Sequence, residues 1–169
     1  MTALVEELLL LARLDEGTEL QRSTVDLSRV VIDAVSDARV SGPDHTWQLE
    51  IPDEAVEISG DRARLAQVVI NLLSNARAHT PAGTTVTTSL ARRDHAVVLE
   101  VRDTGPGIDP ALVPTIFERF VRGDSSRARA SGGTGLGLAI AAAVVEAHGG
   151  TASVTSEPGD TVFRVILPL

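Results

Sequence analysis

Apolar residues recur along this chain with two periods, and the switches between them mark out the elements. Leu4, Leu8, Leu11 and Leu14, flanked by Val5, Leu9 and Ala12, fall at helical spacing and predict a helix over residues 1–15. The polar stretch Asp15-Glu16-Gly17-Thr18-Glu19 then detaches it, so it reads as the tail of a helical hairpin or bundle, the alternative being a surface helix packed on its own domain, with 16–25 as linker. Asp26 is placed to cap a helix over 27–39 with Val30, Val31, Ala34, Val35 and Ala38 on one side, ended by Gly42-Pro43. Trp47–Ile51 alternates as a strand does, and Ala55–Ile58 reads as another. Asp61 can cap a long helix over 62–79, whose stripe Leu65, Val68, Leu72 and Ala76 faces a core and which Pro81 stops.

Farther on, 84–91 and 96–102 predict a hairpin around Arg92-Arg93-Asp94. A short helix is expected near 110–116, a mobile loop over 121–134, and a helix over 135–147 ended by Gly149-Gly150. Residues 151–156 and 161–167 close the chain as a second hairpin around Pro158-Gly159-Asp160. Paired strands interleaved with helices predict an α/β (α+β) fold. Its form is a two-layer sandwich of a mixed, mostly antiparallel sheet on about three helices, with an N-terminal helical stub.

Composition narrows the chemistry. The 169 residues carry a net charge of −8, which disfavours a duplex nucleic-acid partner. All 15 basic residues are arginine. Without lysine there is no Walker A loop and no eukaryotic-type kinase lysine, so bound phosphate must be met by backbone N–H groups, arginine, polar side chains and a metal. The absence of cysteine removes disulfides, thiol catalysis and cysteine zinc sites. No apolar run reaches membrane-spanning length.

Four segments carry candidate chemistry. Gln67, Asn71 and Asn75, spaced by four, share one helix face, where amide oxygens are hard neutral ligands suited to Mg²⁺; the bland alternative is a solvated polar face. Asp103-Thr104-Gly105-Pro106-Gly107-Ile108 follows a strand, and a buried carboxylate there could accept from the exocyclic amine of adenine while rejecting guanine; alone it is also an ordinary Asp–Gly turn. Phe117-Glu118-Arg119-Phe120, followed by Arg122, reads as a core anchor, as the hinge of a closing loop with an arginine near phosphate, or as both. Gly132-Gly133-Thr134-Gly135-Leu136-Gly137-Leu138 runs into an apolar helix, whose free N–H groups suit an anion. The loop before it, from Gly123 through Ser131 with Arg127 and Arg129, could close over a triphosphate.

Taken in order, Asn71-Leu72-Leu73-Ser74-Asn75-Ala76, then DTGPGI at 103–108, FERF at 117–120 and GGTGLGLAI at 132–140 resemble the N, G1, F and G2 boxes of bacterial sensor histidine kinases. The resemblance covers about residues 61–168 and implies the ATP-binding sandwich shared by gyrase, heat-shock protein 90, histidine kinases and mismatch-repair ATPases. It implies ATP and Mg²⁺ as ligands: Asn71 on the metal, and Asn75 on a phosphate or a metal-bound water. Asp103 reads adenine, with Gly105, Gly107 and Ile108 close to it and the Thr161 hydroxyl beside it. Phe120, Arg122, Gly133, Thr134, Gly135, Leu136, Gly137 and Leu138 border the phosphates.

Two departures stand out. Where many of these kinases carry lysine three residues after the second Asn, this chain has Ala78, with Arg77 or His79 as substitutes. None of His45, His79, His95 and His148 is followed by the acidic residue expected of a phosphoacceptor. The expectation is therefore a kinase core apart from its substrate helix: 1–17 the end of the dimerisation hairpin, 18–25 a linker, 26–169 the catalytic domain. Gln67 stands where related ATPases have a water-activating Glu, which favours transfer to a nucleophile over hydrolysis. A regulatory nucleotide-binding module without catalysis and an anti-sigma-type serine kinase are the alternatives. The implied partners are the dimerisation domain and, indirectly, a response regulator. The implied setting is the cytoplasmic part of a homodimeric inner-membrane protein, this stretch being soluble by itself.

Overall fold

The computed structural model describes residues 2–17, 19–122 and 133–169. Its elements, in chain order, are α1 (Thr2–Asp15), β1 (Ser23–Asp26), α2 (Leu27–Ser41), β2 (Thr46–Glu50), β3 (Glu57–Gly60), α3 (Arg62–His79), β4 (Thr85–Arg93), β5 (Ala96–Asp103), a 3₁₀ turn (Val113–Thr115), α4 (Gly137–Ala147), β6 (Thr151–Glu157) and β7 (Asp160–Pro168). Five strands form one sheet in the order β2-β4-β5-β7-β6, while β1 and β3 pair separately. Among the described residues β2 and β4 run parallel and every other pairing is antiparallel. The mixed two-layer sandwich is as the pattern predicts.

The layers follow from burial. Val97, Leu99 and Val101 of β5 and Phe163, Val165 and Leu167 of β7 alternate inward and meet the buried stripes of α3 (Leu65, Val68, Leu72, Ala76) and α4 (Ile140, Ala141, Val144, Val145). Period-2 alternation carries the inward register of β5 on to its last residue, so Asp103 is buried on the helix side of the sheet, and it pairs with Thr161 of β7. Both predicted caps form: Asp26 accepts from the Arg29 N–H at 3.0 Å and Asp61 from the Arg64 N–H at 3.2 Å.

Four local expectations change. The assumed linker ends in a strand, because Val25 is buried and Ser23–Asp26 pairs with Glu57–Gly60. The strand expected over 55–58 is thereby β3, outside the main sheet. The short helix tightens to the 3₁₀ turn at Val113–Thr115, with Pro114 inside it. Finally, α1 is not detached. Leu10 and Leu11 are buried, the helix packs along α4, Asp15 pairs with Arg119, and Glu7 accepts from the Thr134 hydroxyl at 2.7 Å. Apolar burial against a small-residue helix outweighs the polar stretch that follows.

His148 joins α4 to the start of α3. Its Nε2 accepts from the Asp61 N–H at 3.0 Å and its Nδ1 donates to the Val144 carbonyl at 2.7 Å, so the buried ring is neutral in one tautomer. Burial is the main cause that holds its pKa below the ordinary imidazole range.

Candidate nucleotide cleft

A cleft runs along the polar face of α3, with two cavities that share walls. The first, about 430 Å³, is lined by Asn75, Ala76, Thr80, Asp103, Gly107, Ile108, Thr161 and Phe163 among others. The second, about 370 Å³, is lined by Asn71, Ser74, Asn75, Gly133, Thr134, Gly135 and Gly137 among others. Asn75, His79, Ile116, Val121, Arg122 and Leu138 border both, so the cavities are two ends of one groove. The helical spacing of four that puts Asn71 and Asn75 on one face also brings them to this groove.

The Asp103 end is built by the ends of β5, β6 and β7. Asp103 Oδ1 accepts from the Gly105 N–H at 2.9 Å and is 5% exposed. Burial pushes its carboxyl pKa up; the Gly105 N–H opposes this, Asp160 adds to it and His45 works against it. Thr161 Oγ1 lies 2.7 Å from Ser156 Oγ, which accepts from the Ile108 N–H at 2.8 Å. Gly107, at φ +88°, lies against Glu157, where a Cβ would fall 3.0 Å from the backbone carbon. A buried carboxylate beside hydroxyls and an apolar floor can accept from a heterocycle's amine.

The other end is built by the middle of α3 and the glycine turn that opens α4. Asn71 Nδ2 donates to the Gly137 carbonyl at 2.9 Å, which joins α3 to the first residue of α4 and leaves Oδ1 as an acceptor. Gly135 has φ +75° and its carbonyl takes the Phe120 N–H at 2.9 Å; a Cβ there would lie 3.1 Å from the Phe120 Cα. Thr134 Oγ1 accepts from the Leu136 N–H at 3.3 Å. Among the described residues no group of three His, Cys, Asp or Glu could hold a metal. An ion here would take Asn71 Oδ1 and complete its shell from phosphate and water, which suits Mg²⁺.

Most sequence-predicted residues converge here, with informative exceptions. The Arg77 guanidinium donates to the Ser41 carbonyl at 2.8 Å in a groove between α2 and α3, away from the cleft. His79 instead lies on the cleft wall, at the rim, where desolvation lowers its pKa. Leu136 is fully buried in the core, so only its backbone can face a ligand. Phe120 is exposed, and its backbone, not its ring, is tied to Gly135. Gly105 packs under Thr80 and supports Asp103 without lining either cavity. The expected closing loop from Gly123 through Gly132 lies outside the described residues. Sequence reasoning missed Thr80 and Ser156, whose hydroxyls reach His45 and the Ile108 N–H through tertiary contacts, and Ala3 and Glu7 of α1, which line the Asn71 end.

Fold and cleft together define a nucleotide-binding sandwich. Residues 60–169 match the family described as histidine kinase-, DNA gyrase B- and HSP90-like ATPase, and the chain belongs to it. Over 169 residues it is 62% identical to the probable sensor histidine kinase TcrY of Mycobacterium tuberculosis, with all of this chain and 36% of that protein aligned. The chain thus spans about a third of that relative's length. The mycobacterial sensor histidine kinase MprB superposes with a TM-score of 0.76 at 33% identity, over 86% of this chain and 97% of that one. Full-length ShkA, solved in complex with AMPPNP, superposes with a TM-score of 0.81 at 30% identity, over 98% of this chain and 35% of that one. Family membership carries an ATP site with it. Among the described residues no helix is long and apolar enough to cross a membrane.

Proposed function

We propose that this chain binds ATP with Mg²⁺ and presents the γ-phosphoryl group to a histidine on a dimerisation domain, the first transfer of two-component signalling. The observation that carries the reading is the single groove with a buried carboxylate, Asp103, at one end and Asn71 with the glycine turn at the other. Asp103 accepts from the adenine amine, Thr161 flanks the base, and Gly107 lets the backbone approach it. Asn71 holds Mg²⁺, which would neutralise phosphate charge when bound. Asn75, His79, Arg122 and the N–H groups from Gly133 to Leu138 border the phosphates.

Transfer needs no base from this chain. An imidazole nitrogen attacks the γ-phosphorus in line, the bond to the bridging oxygen breaks, and ADP leaves. Gln67, one turn before Asn71, cannot activate water, which favours transfer over hydrolysis. Residues 1–17 are the end of the dimerisation hairpin, and the longer protein is a homodimeric sensor kinase that hands phosphate on to a response regulator. AMPPNP in ShkA, a protein of the same fold, supports an adenine nucleotide here.

The test mixes this chain with a separately produced dimerisation domain, Mg²⁺ and γ-labelled ATP. Acid-labile, base-stable label on a histidine of that domain is the expected result. ATP binding with no label transferred would instead leave a regulatory nucleotide module.

A further inference from the structure

Behind the Asp103 end lies a buried histidine that the proposed chemistry does not use. The His45 side chain is 2% exposed and sits between α2 and β2. Its Nδ1 is 3.0 Å from Asp44 Oδ1, and its Nε2 is 2.8 Å from Thr80 Oγ1. Thr80 Oγ1 also donates to the Ala76 carbonyl at 2.6 Å, in the last turn of α3.

Counting protons fixes the ring. A hydroxyl has one proton, and a carbonyl can only accept it, so the Thr80 proton goes to Ala76. His45 Nε2 must then donate to Thr80. On the other side an ionised Asp44 only accepts, so Nδ1 must donate too. With the Thr80 hydroxyl proton held on the Ala76 carbonyl, both ring contacts are met together only by the imidazolium. If Nε2 loses its proton, Thr80 must turn to the ring and leave the Ala76 carbonyl; if Nδ1 loses its proton, a lone pair faces a carboxylate.

We propose that His45 is a positioning residue for the base end of the nucleotide cleft: a doubly protonated ring that links exposed Asp44 to Thr80 in the cleft wall and sets a positive charge behind Asp103. Two routes lead from it to the cleft. The Thr80 methyl packs on the turn after β5, where a Cβ on Gly105 would fall 2.6 Å from Thr80 Cγ2; that turn supplies the N–H that holds Asp103. The second route is charge: His45 favours the ionised form of Asp103 against its burial. The charged groups around the ring are Asp44, Asp103 on β5 and, acting through Asp44, Arg77 on α3; the Trp47 ring lies 5.7 Å away, centroid to centroid. The inference rests on Asp103 as the adenine acceptor.

Calorimetric titration with ATP and Mg²⁺ between about pH 5.5 and 8.5, where imidazoles titrate, tests it on the whole chain. His45→Gln keeps a donor toward Thr80 but no charge. It should bind about three- to tenfold more weakly at neutral pH and move the acid-side loss of affinity up by about half to one pH unit. A variant with the unaltered affinity and pH profile would overturn the proposal. Nitrogen-edited NMR of the unaltered chain does not depend on that variant folding: a proton on each ring nitrogen of His45 is expected in the folded chain, and a bare nitrogen facing Thr80 or Asp44 overturns it. If Asp103→Asn binds ATP as well as the unaltered chain, the adenine assignment itself fails, whatever His45 does.

Discussion

The two ends of the cleft are built differently. At the base end, Asp103 and Thr161 are held by strand register, face one side of the sheet, and are braced by Gly105, Ser156 and Ile108. At the Asn71 end, Asn71 stands midway along α3, and Thr134 and Gly135 form the turn before α4, joined by single hydrogen bonds to Gly137, Glu7 and Phe120. A sheet pairs each strand at many points, whereas a helix end offers a few unpaired groups. The Asp103 end is therefore tied at many points, and the Asn71 end at few.

The largest expected effect breaks the base end. Asp103→Asn turns an acceptor into a donor facing the adenine amine, and should weaken ATP and adenosine alike by about 2–3 kcal/mol, roughly a hundredfold, by calorimetry. Equal binding of both ligands to the variant and the unaltered chain would sink the adenine assignment.

Asn71→Ala strikes only the other end. It removes the Oδ1 ligand and the bond to Gly137. ATP affinity should fall by about 1–2 kcal/mol and lose its dependence on Mg²⁺, while adenosine binds unchanged. A Mg²⁺ dependence that persists removes Asn71 as the ligand.

Acid should loosen the helix scaffold that carries the phosphate end. The folded-state pKa of His148 lies below its unfolded value of about 6.5. Between those two values the unfolded chain binds the proton that the folded chain refuses, so this contribution to stability is whole above about pH 6.5 and is lost as pH falls toward the folded-state pKa. Urea midpoints should drop on acidification, and His148→Gln, which can still donate and accept, should flatten the slope. A slope unaltered in the variant would assign the acid sensitivity elsewhere.

The smallest effect lies in the sheet behind both ends. Thr88 is fully buried and its hydroxyl has no partner among the described residues. Thr88→Val should stabilise the fold by up to about 1 kcal/mol with ATP affinity unchanged. A lower denaturation midpoint would show that the hydroxyl has a partner after all.

Much of this was legible along the chain. Asp26 and Asp61 announce their helices because a cap is a contact within four residues. The inward position of Asp103 could be counted from Val97 in steps of two. The strand at Ser23–Asp26 could not, since one buried residue, Val25, makes no period and its partner lies 33 residues on, at Ile58. Arg77 and His79 were equal candidates in sequence, and only the packing of α3 on α2 sends the arginine to Ser41 and leaves the histidine in the cleft.

The sequence by itself determined the periodic elements, their caps and the identity of the groups that can meet a nucleotide. These depend on neighbours a few residues away, which the chain order already supplies. Tertiary structure alone decided which of those groups share a cavity, that α1 lies on α4, and that Asp44, His45 and Thr80 form one chain of hydrogen bonds. Hydrogen bonds and desolvation act over a few ångströms, and residues 35 apart come within that range only when the helices have docked on the sheet.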